Sequence, residues 1–225
     1  MDKSYHFETE LFELKCGDKQ IRLNKVINPE VLFDQLLEKG TSHEDVKTER
    51  IPYWAELWPA SMAMSSYLME NPSLVLNKEV LEIGCGLGLA GISAKLAGGR
   101  VLLTDYLQEA VGVAAKNWEQ NFDDEPNVQI IDWNHPPQGK QFDVIIGADV
   151  LYDKTNHGPL IEFFNKMLKY GGLLLLSDPS RGAAKSFFEK LDQEDYRIKK
   201  NKITNKMSET TNVIDIYTCV RSLSS

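Results

Sequence analysis

The chain has 225 residues, of which 42% are apolar and 26% charged, and carries a formal net charge of −8. That length suits one α/β domain with an N-terminal extension, and the apolar share supplies a sizeable core. The acidic balance argues against a nucleic-acid partner, no apolar run approaches a membrane span, and three scattered cysteines imply neither a disulfide framework nor a metal site.

The first residues, Met1 to Glu8, lack the basic region and apolar core of a signal peptide, so a cytoplasmic protein is expected. Residues 5 to 27 alternate apolar and polar, with Phe7, Leu11 and Leu14 before Gly17-Asp18 and Ile21, Leu23 and Val26 after it. That pattern predicts a β-hairpin. A helix follows from Pro29 to Lys39, with Asn28 as its cap and Gly40 closing it. The polar stretch Thr41 to Arg50 marks the expected boundary between an N-terminal cover, residues 1–50, and the main domain, residues 51–225.

Next comes Ile51-Pro52-Tyr53-Trp54-Ala55-Glu56-Leu57-Trp58-Pro59-Ala60. Pro59 opens a helix running to about Met69, which Asn71-Pro72 stops. Trp54 is expected in the core. Trp58 enters the crevice beside the following glycine loop, where a flat indole suits a cationic sulfonium.

Val80, Leu81 and Ile83 form a buried parallel strand, and Gly84, Gly86 and Gly88 let the backbone turn sharply beside a ligand. Leu89 to Leu96 then begins a helix whose N-terminal amides face that ligand. Two nucleotide readings compete. Gly86-x-Gly88-x-x-Gly91 satisfies the dinucleotide pattern, which would extend the strand through Gly84 and weaken it. Glu82-x-Gly84-x-Gly86-x-Gly88, with an acid two residues before the first glycine, resembles the first motif of class I S-adenosylmethionine (SAM) methyltransferases. A plain turn without a ligand is the third possibility, and three glycines in five residues cost more backbone entropy than such a turn requires.

Arg100 to Asp105 is a second strand, and Asp105 stands 105 − 88 = 17 residues beyond the last glycine. An acid there accepts from ribose hydroxyls, a feature that NAD and SAM sites share. Glu109 to Asn121 is a helix, and Val128 to Ile131 is a third strand. Asp132-Trp133 after it offers an acceptor and an apolar wall to an adenine, although such a pair also serves a turn and a packing aromatic. Phe142 to Asp153 reads as a fourth strand that delivers Asp149 and Tyr152 to the same sheet edge. Leu160 to Lys169 is a helix closed by Gly171-Gly172, Leu173 to Ser177 a buried fifth strand, and Gly182 to Leu191 a helix. Residues 196–203 and 213–219 form two strands that must pair antiparallel, since no crossover helix fits between them. The lysines at 199, 200, 202 and 206 read as a solvated face or loop.

These residues carry a resemblance. The chain resembles the seven-strand SAM-dependent protein-lysine methyltransferases grouped as methyltransferase family 16, through Pro52-Tyr53-Trp54-Ala55…Trp58-Pro59 and the acid-x-x-aromatic segment Asp149-Val150-Leu151-Tyr152. Asp178-Pro179-Ser180-Arg181 is similar to a segment of the electron-transfer-flavoprotein β-subunit lysine methyltransferases. The resemblance implies a Rossmann-like three-layer α/β sandwich with a mostly parallel seven-stranded sheet ending in an antiparallel hairpin, SAM as cofactor with S-adenosylhomocysteine as product, and a protein lysine as acceptor. The candidate cofactor-binding residues are Trp58, Glu82, Gly84, Gly86, Gly88, Asp105, Tyr106, Asp132, Trp133 and Ala148, and the candidate catalytic residues are Asp149 and Tyr152. Asp149 would orient an incoming neutral amine and Tyr152 would wall it. Methylation of a small-molecule amine and a non-catalytic nucleotide-binding module are the alternatives.

Overall fold

Alternation along the first strand of the large sheet explains the layering. The computed structural model describes residues 5–16, 18–43, 46, 51–194, 196–207 and 210–222. Two N-terminal strands, β1 (Thr9–Cys16) and β2 (Lys19–Val26), pair antiparallel with Cys16 opposite Lys19; the turn residue Gly17 lies outside the described residues. After helix α1 (Pro29–Glu38) and helix α2 (Pro59–Glu70) come β3 (Glu79–Ile83), α3 (Leu89–Leu96), β4 (Arg100–Asp105), α4 (Gln108–Glu119) and β5 (Val128–Ile130). Strand β6 (Phe142–Ala148), α5 (His157–Met167), β7 (Leu168–Asp178), α6 (Gly182–Leu191), β8 (Tyr196–Met207) and β9 (Thr210–Arg221) complete the chain.

The large sheet has seven strands in the order β5-β4-β3-β6-β7-β9-β8. Strands β3 to β7 run parallel, and β9 is antiparallel to both β7 and β8. Leu81 and Ile83 of β3 join one apolar cluster with Leu160, Phe163 and Phe164 of α5 and Phe187 of α6. Val80, one residue out of phase, joins the other cluster with Ala90 and Ile92 of α3 and Ala110 and Ala114 of α4. Period-two alternation on a strand buried on both faces thus produces three layers. The expected fold class is what is found.

The N-terminal hairpin and helix α1 contribute Ile21, Leu23, Val26, Leu32 and Leu36 to the same cluster as α3 and α4. Asparagines on or next to α4 satisfy the edge of β2 as a further strand would. Asn117 accepts from the Asn24 amide at 2.6 Å, and Asn121 accepts from the Arg22 amide at 2.9 Å while donating to the Arg22 carbonyl at 2.7 Å. Burial of a leucine-sized side chain contributes about 1.5–3 kcal/mol, so five such residues outweigh these bonds in holding the hairpin.

Several element boundaries differ from expectation. Asn28 caps α1 through its position alone, without a side-chain hydrogen bond. Gly171-Gly172 does not close a helix: the pair lies inside β7, where Gly171 adopts φ +74° and the register against β6 shifts between Phe142 and Val144. Of the polar stretch 41–50, residues 44, 45 and 47–50 lie outside the described residues, as do residues 208 and 209 between β8 and β9. Strand β6 ends at Ala148 and does not run on to Asp153, while Lys199, Lys200 and Lys202 lie on the edge strand β8, within the strand expected over 196–203, and the Lys200 ammonium meets Asp215 at 2.7 Å. Among the described residues no helix is long and apolar enough to cross a membrane.

Candidate functional site

The strand order reverses at β3, with β4 on one side and β6 on the other, so the carboxyl ends of these strands open a crevice at the switch point. Gly84, Gly86 and Gly88 line the turn out of β3 at φ +56°, +49° and +80°, a left-handed region that other residues rarely adopt. A Cβ on Gly84 would stand 3.0 Å from Val150, and one on Gly86 would stand 3.0 Å from the Trp54 carbonyl oxygen. The cradle therefore needs glycine for space as well as for conformation. Gly84, Cys85, Gly86 and Leu87 line the crevice with Glu82, Asp105, Tyr106, Trp58, Trp133 and Ala148.

Two buried carboxylates organise this loop. Asp105, at the end of β4, accepts from the Gly86 and Leu107 amides, each at 3.2 Å. Glu82 accepts from the Gly91 amide at 2.9 Å, in the first turn of α3. Burial pushes the Glu82 carboxyl up to about 8, with the Gly91 amide opposing and Asp105 adding to the rise. Burial likewise pushes Asp105 up to about 6 against the amides of Leu107, Gly86 and Tyr106. Both acids bind a proton more readily in the folded chain than in the unfolded one. Their stabilising contribution is therefore complete below about pH 4 and is lost as pH rises through 6 and then 8. The unliganded chain is expected to unfold at lower urea at pH 8.5 than at pH 6. Glu82→Gln, which keeps an acceptor for Gly91 but carries no charge, should reduce that difference; an unchanged pH dependence in this variant would contradict the assignment.

A second cavity adjoins the crevice, lined by Tyr53, Trp58, Asp149, Tyr152 and Arg181. Tyr53 stands edge-on to both Trp58 and Tyr152, with ring centroids 6.0 and 5.6 Å apart. The Trp58 indole donates to the Tyr53 carbonyl at 2.9 Å, which fixes the flat ring at the start of α2. Asp149 follows β6 at φ +56°, held by its amide bond to the Ser177 carbonyl at 2.8 Å. Its side chain is 5% exposed and accepts from Arg181 Nε at 3.0 Å and Nη2 at 2.9 Å. Burial, with Tyr53, Asp105, Asp153 and Asp149 nearby, pushes the Tyr152 phenol up to about 12. That hydroxyl keeps its proton at neutral pH and is no base.

The fold brings Trp58, Glu82, Gly84, Gly86, Asp105, Tyr106, Trp133, Ala148, Asp149 and Tyr152 to the crevice wall. Gly88 is the N-cap of α3 and packs against Ala114 and Leu103 behind the loop. Asp132 directly precedes the wall residue Trp133, and its half-exposed carboxylate accepts from the Asn134 amide at 2.9 Å and the Asn134 side chain at 2.8 Å and meets His135 at 2.9 Å within its own turn. Trp54 is 5% exposed and packs edge-on against Phe7, in the core where it was expected. The sequence singled out the segments holding Tyr53 and Arg181 without giving either a site role; proximity of Tyr53 to Trp58 was the available signal for the first. Among the described residues no cluster of three or more His, Cys, Asp or Glu is arranged to hold a metal ion.

The residues fit SAM. The glycine cradle admits a close-packed ligand, Asp105 offers a carboxylate to a ribose diol, and Trp58, Tyr106 and Trp133 offer aromatic faces to an adenine and a sulfonium. A family model described as lysine methyltransferase matches residues 43–194. The chain is 34% identical over 132 residues to the electron transfer flavoprotein beta subunit lysine methyltransferase of Mus musculus, covering 58% of this chain and 51% of that protein. It is 32% identical over 126 residues to a protein N-terminal and lysine N-methyltransferase of Cryptococcus neoformans, covering 49% and 42%. The chain thus spans about half the length of the curated relatives it matches. Among solved structures it is similar to the N-methyltransferase NodS of Bradyrhizobium japonicum in complex with S-adenosyl-l-homocysteine, with a TM-score of 0.58 at 19% identity, covering 82% of this chain and 96% of that one. The magnesium protoporphyrin IX methyltransferase of Synechocystis with bound SAM gives 0.55 at 19%, covering 84% and 89%. At that identity the likeness concerns the fold.

Proposed function

The chain belongs to the lysine methyltransferase family, and from that membership we propose that it methylates the side-chain nitrogen of a protein lysine, using SAM. One observation carries the reading: Tyr53, Trp58, Asp149 and Tyr152 line both the crevice suited to the cofactor and the adjoining cavity. Those four residues form a shared wall across which a cofactor on one side meets an acceptor on the other. SAM, when bound, supplies an electrophilic methyl on a cationic sulfonium.

The remaining work falls to the chain. Gly84 and Gly86 admit the cofactor's close approach, Asp105 holds its ribose, and Trp133 and Tyr106 flank it. A lysine amine attacks only when neutral, and its ordinary pKa of about 10.4 leaves it protonated at pH 7. The aromatic rings of Tyr53, Trp58 and Tyr152 line the passage by which the amine would reach the methyl. Asp149 accepts from the amine and fixes its direction, so that most of the rate comes from orientation.

Two measurements test this. Radiolabelled methyl transfer into cell lysate, separated into protein and small-molecule fractions, should place the label on protein lysine; label confined to small molecules would favour a metabolite amine instead. In calorimetry the chain should bind SAM and S-adenosylhomocysteine but not NAD, and Asp105→Ala should weaken SAM by about 1.5–3 kcal/mol, the range for hydrogen bonds to a charged group. Unaltered SAM affinity in that variant would remove Asp105 from the ribose.

A further inference from the structure

Among the described residues lining the two cavities, Arg181 is the one cation. Besides it the lining holds the acids Glu56, Asp105 and Asp149, the carboxyl of Glu82, which burial keeps protonated at neutral pH, the Cys85 thiol, and the phenols Tyr53, Tyr106 and Tyr152. Asp178 and Asp153 lie close behind, adding further negative charge near Arg181 and Tyr152 respectively. A passage walled in this way would capture an ammonium ion, and a bound ammonium is not a nucleophile.

The backbone that carries Arg181 is held in place independently of Asp149. Its amide donates to Asp178 at 2.6 Å, and Asp178 is fully buried. The preceding Ser180 sits at φ +61° and donates its hydroxyl at 2.7 Å to Asp215, itself 1% exposed and bound by the Lys200 ammonium at 2.7 Å. Two buried carboxylates thus pin the loop after β7, and that loop aims a guanidinium fork at both oxygens of Asp149.

We propose that Arg181 is a positioning residue that neutralises Asp149, so that the carboxylate orients the acceptor nitrogen without stabilising it as ammonium. This rests on the acceptor site proposed above. A bare, nearly buried carboxylate beside the amine would raise the amine's pKa and trap the unreactive form, whereas a carboxylate already paired with a fixed cation retains acceptor lone pairs but little net charge. Arg181 selects the protonation state of the acceptor, and Asp149 directs it.

The test uses n-butylammonium, which copies a lysine side chain, and n-butanol, its uncharged isostere. Both are titrated by ligand-observed NMR at pH 7.5 in the presence of S-adenosylhomocysteine. Arg181→Met is expected to bind n-butylammonium at least tenfold more tightly than the parent chain, with n-butanol affinity unchanged within about twofold. A merely structural role would weaken both probes or neither and would not raise affinity for the cation alone. Arg181→Lys, which keeps the charge, should bind n-butylammonium as weakly as the parent. If Arg181→Met loses S-adenosylhomocysteine binding, Arg181→Gln replaces it with the same expected gain. Equal ammonium affinity in the parent and in the neutral variant overturns the proposal. The lysate assay reads the methyl-transfer reaction separately, so failure of either reading is recognisable on its own.

Discussion

Asp149→Ala is expected to abolish methyl transfer into lysate protein, by a factor of about a thousand or more, while SAM affinity stays within about tenfold of the parent. Two losses combine. The amine loses the group that directs it, and orientation of this kind is worth several powers of ten. The Arg181 guanidinium, bonded to both Asp149 oxygens, is left facing the acceptor passage without its partner, and it repels a cationic lysine before it arrives. Because Asp149 sits at φ +56°, alanine adds backbone strain that the loss of charge does not require. Asp149→Asn separates the two effects, since asparagine tolerates this conformation and keeps one acceptor oxygen. It should bind SAM like the parent, lose transfer less completely than alanine, and remain well below the parent in turnover. The paired measurement is SAM calorimetry and initial rate of label incorporation. Normal turnover in both variants would make the acid-x-x-aromatic segment a structural turn and remove the main support for an acceptor site there.

What the sequence made legible was local. The apolar run of β3, the alternating glycines and the acid closing β4 each declare themselves within a few residues, because backbone conformation and strand burial are decided at that range. Gly171-Gly172 shows the limit: a glycine pair after a helical pattern is the usual stop signal, yet here it accommodates an irregularity in β7 that only the register against β6 reveals. Asp132 shows another. An acid after a strand does not announce its local partners, and here Asn134 and His135, two and three residues on, bond its carboxylate within the turn. The Asp149–Arg181 pair was beyond reach for a different reason. Each residue was conspicuous, but 32 positions separate them, and their contact follows from β6 and β7 lying side by side in the sheet.

Gly91 gives the largest effect expected on stability, and it does so through the residue that made the dinucleotide pattern complete. A Cβ on Gly91 would overlap the Leu103 side chain and the Glu82 carboxylate, both fully or almost fully buried. The close packing of α3 on β3 and β4, not a ligand, is thus what requires glycine at this position. Alanine inside a helix ordinarily stabilises by about 0.5–1 kcal/mol relative to glycine. Here that gain is opposed by overpacking, typically about 1–3 kcal/mol, and by displacement of Glu82 from the Gly91 amide, which leaves buried polar groups unsatisfied at about 1–3 kcal/mol more. The penalties win. Gly91→Ala should lose about 3 kcal/mol in urea unfolding at pH 7. Gly112 supplies the internal comparison: it lies in α4 with nothing within 4 Å of a would-be Cβ, so Gly112→Ala should gain about 0.5–1 kcal/mol. The same substitution in two helices should therefore move stability in opposite directions. A Gly91→Ala chain as stable as the parent would mean that α3 can withdraw from the sheet without cost, and that Glu82 does not anchor the loop through the Gly91 amide.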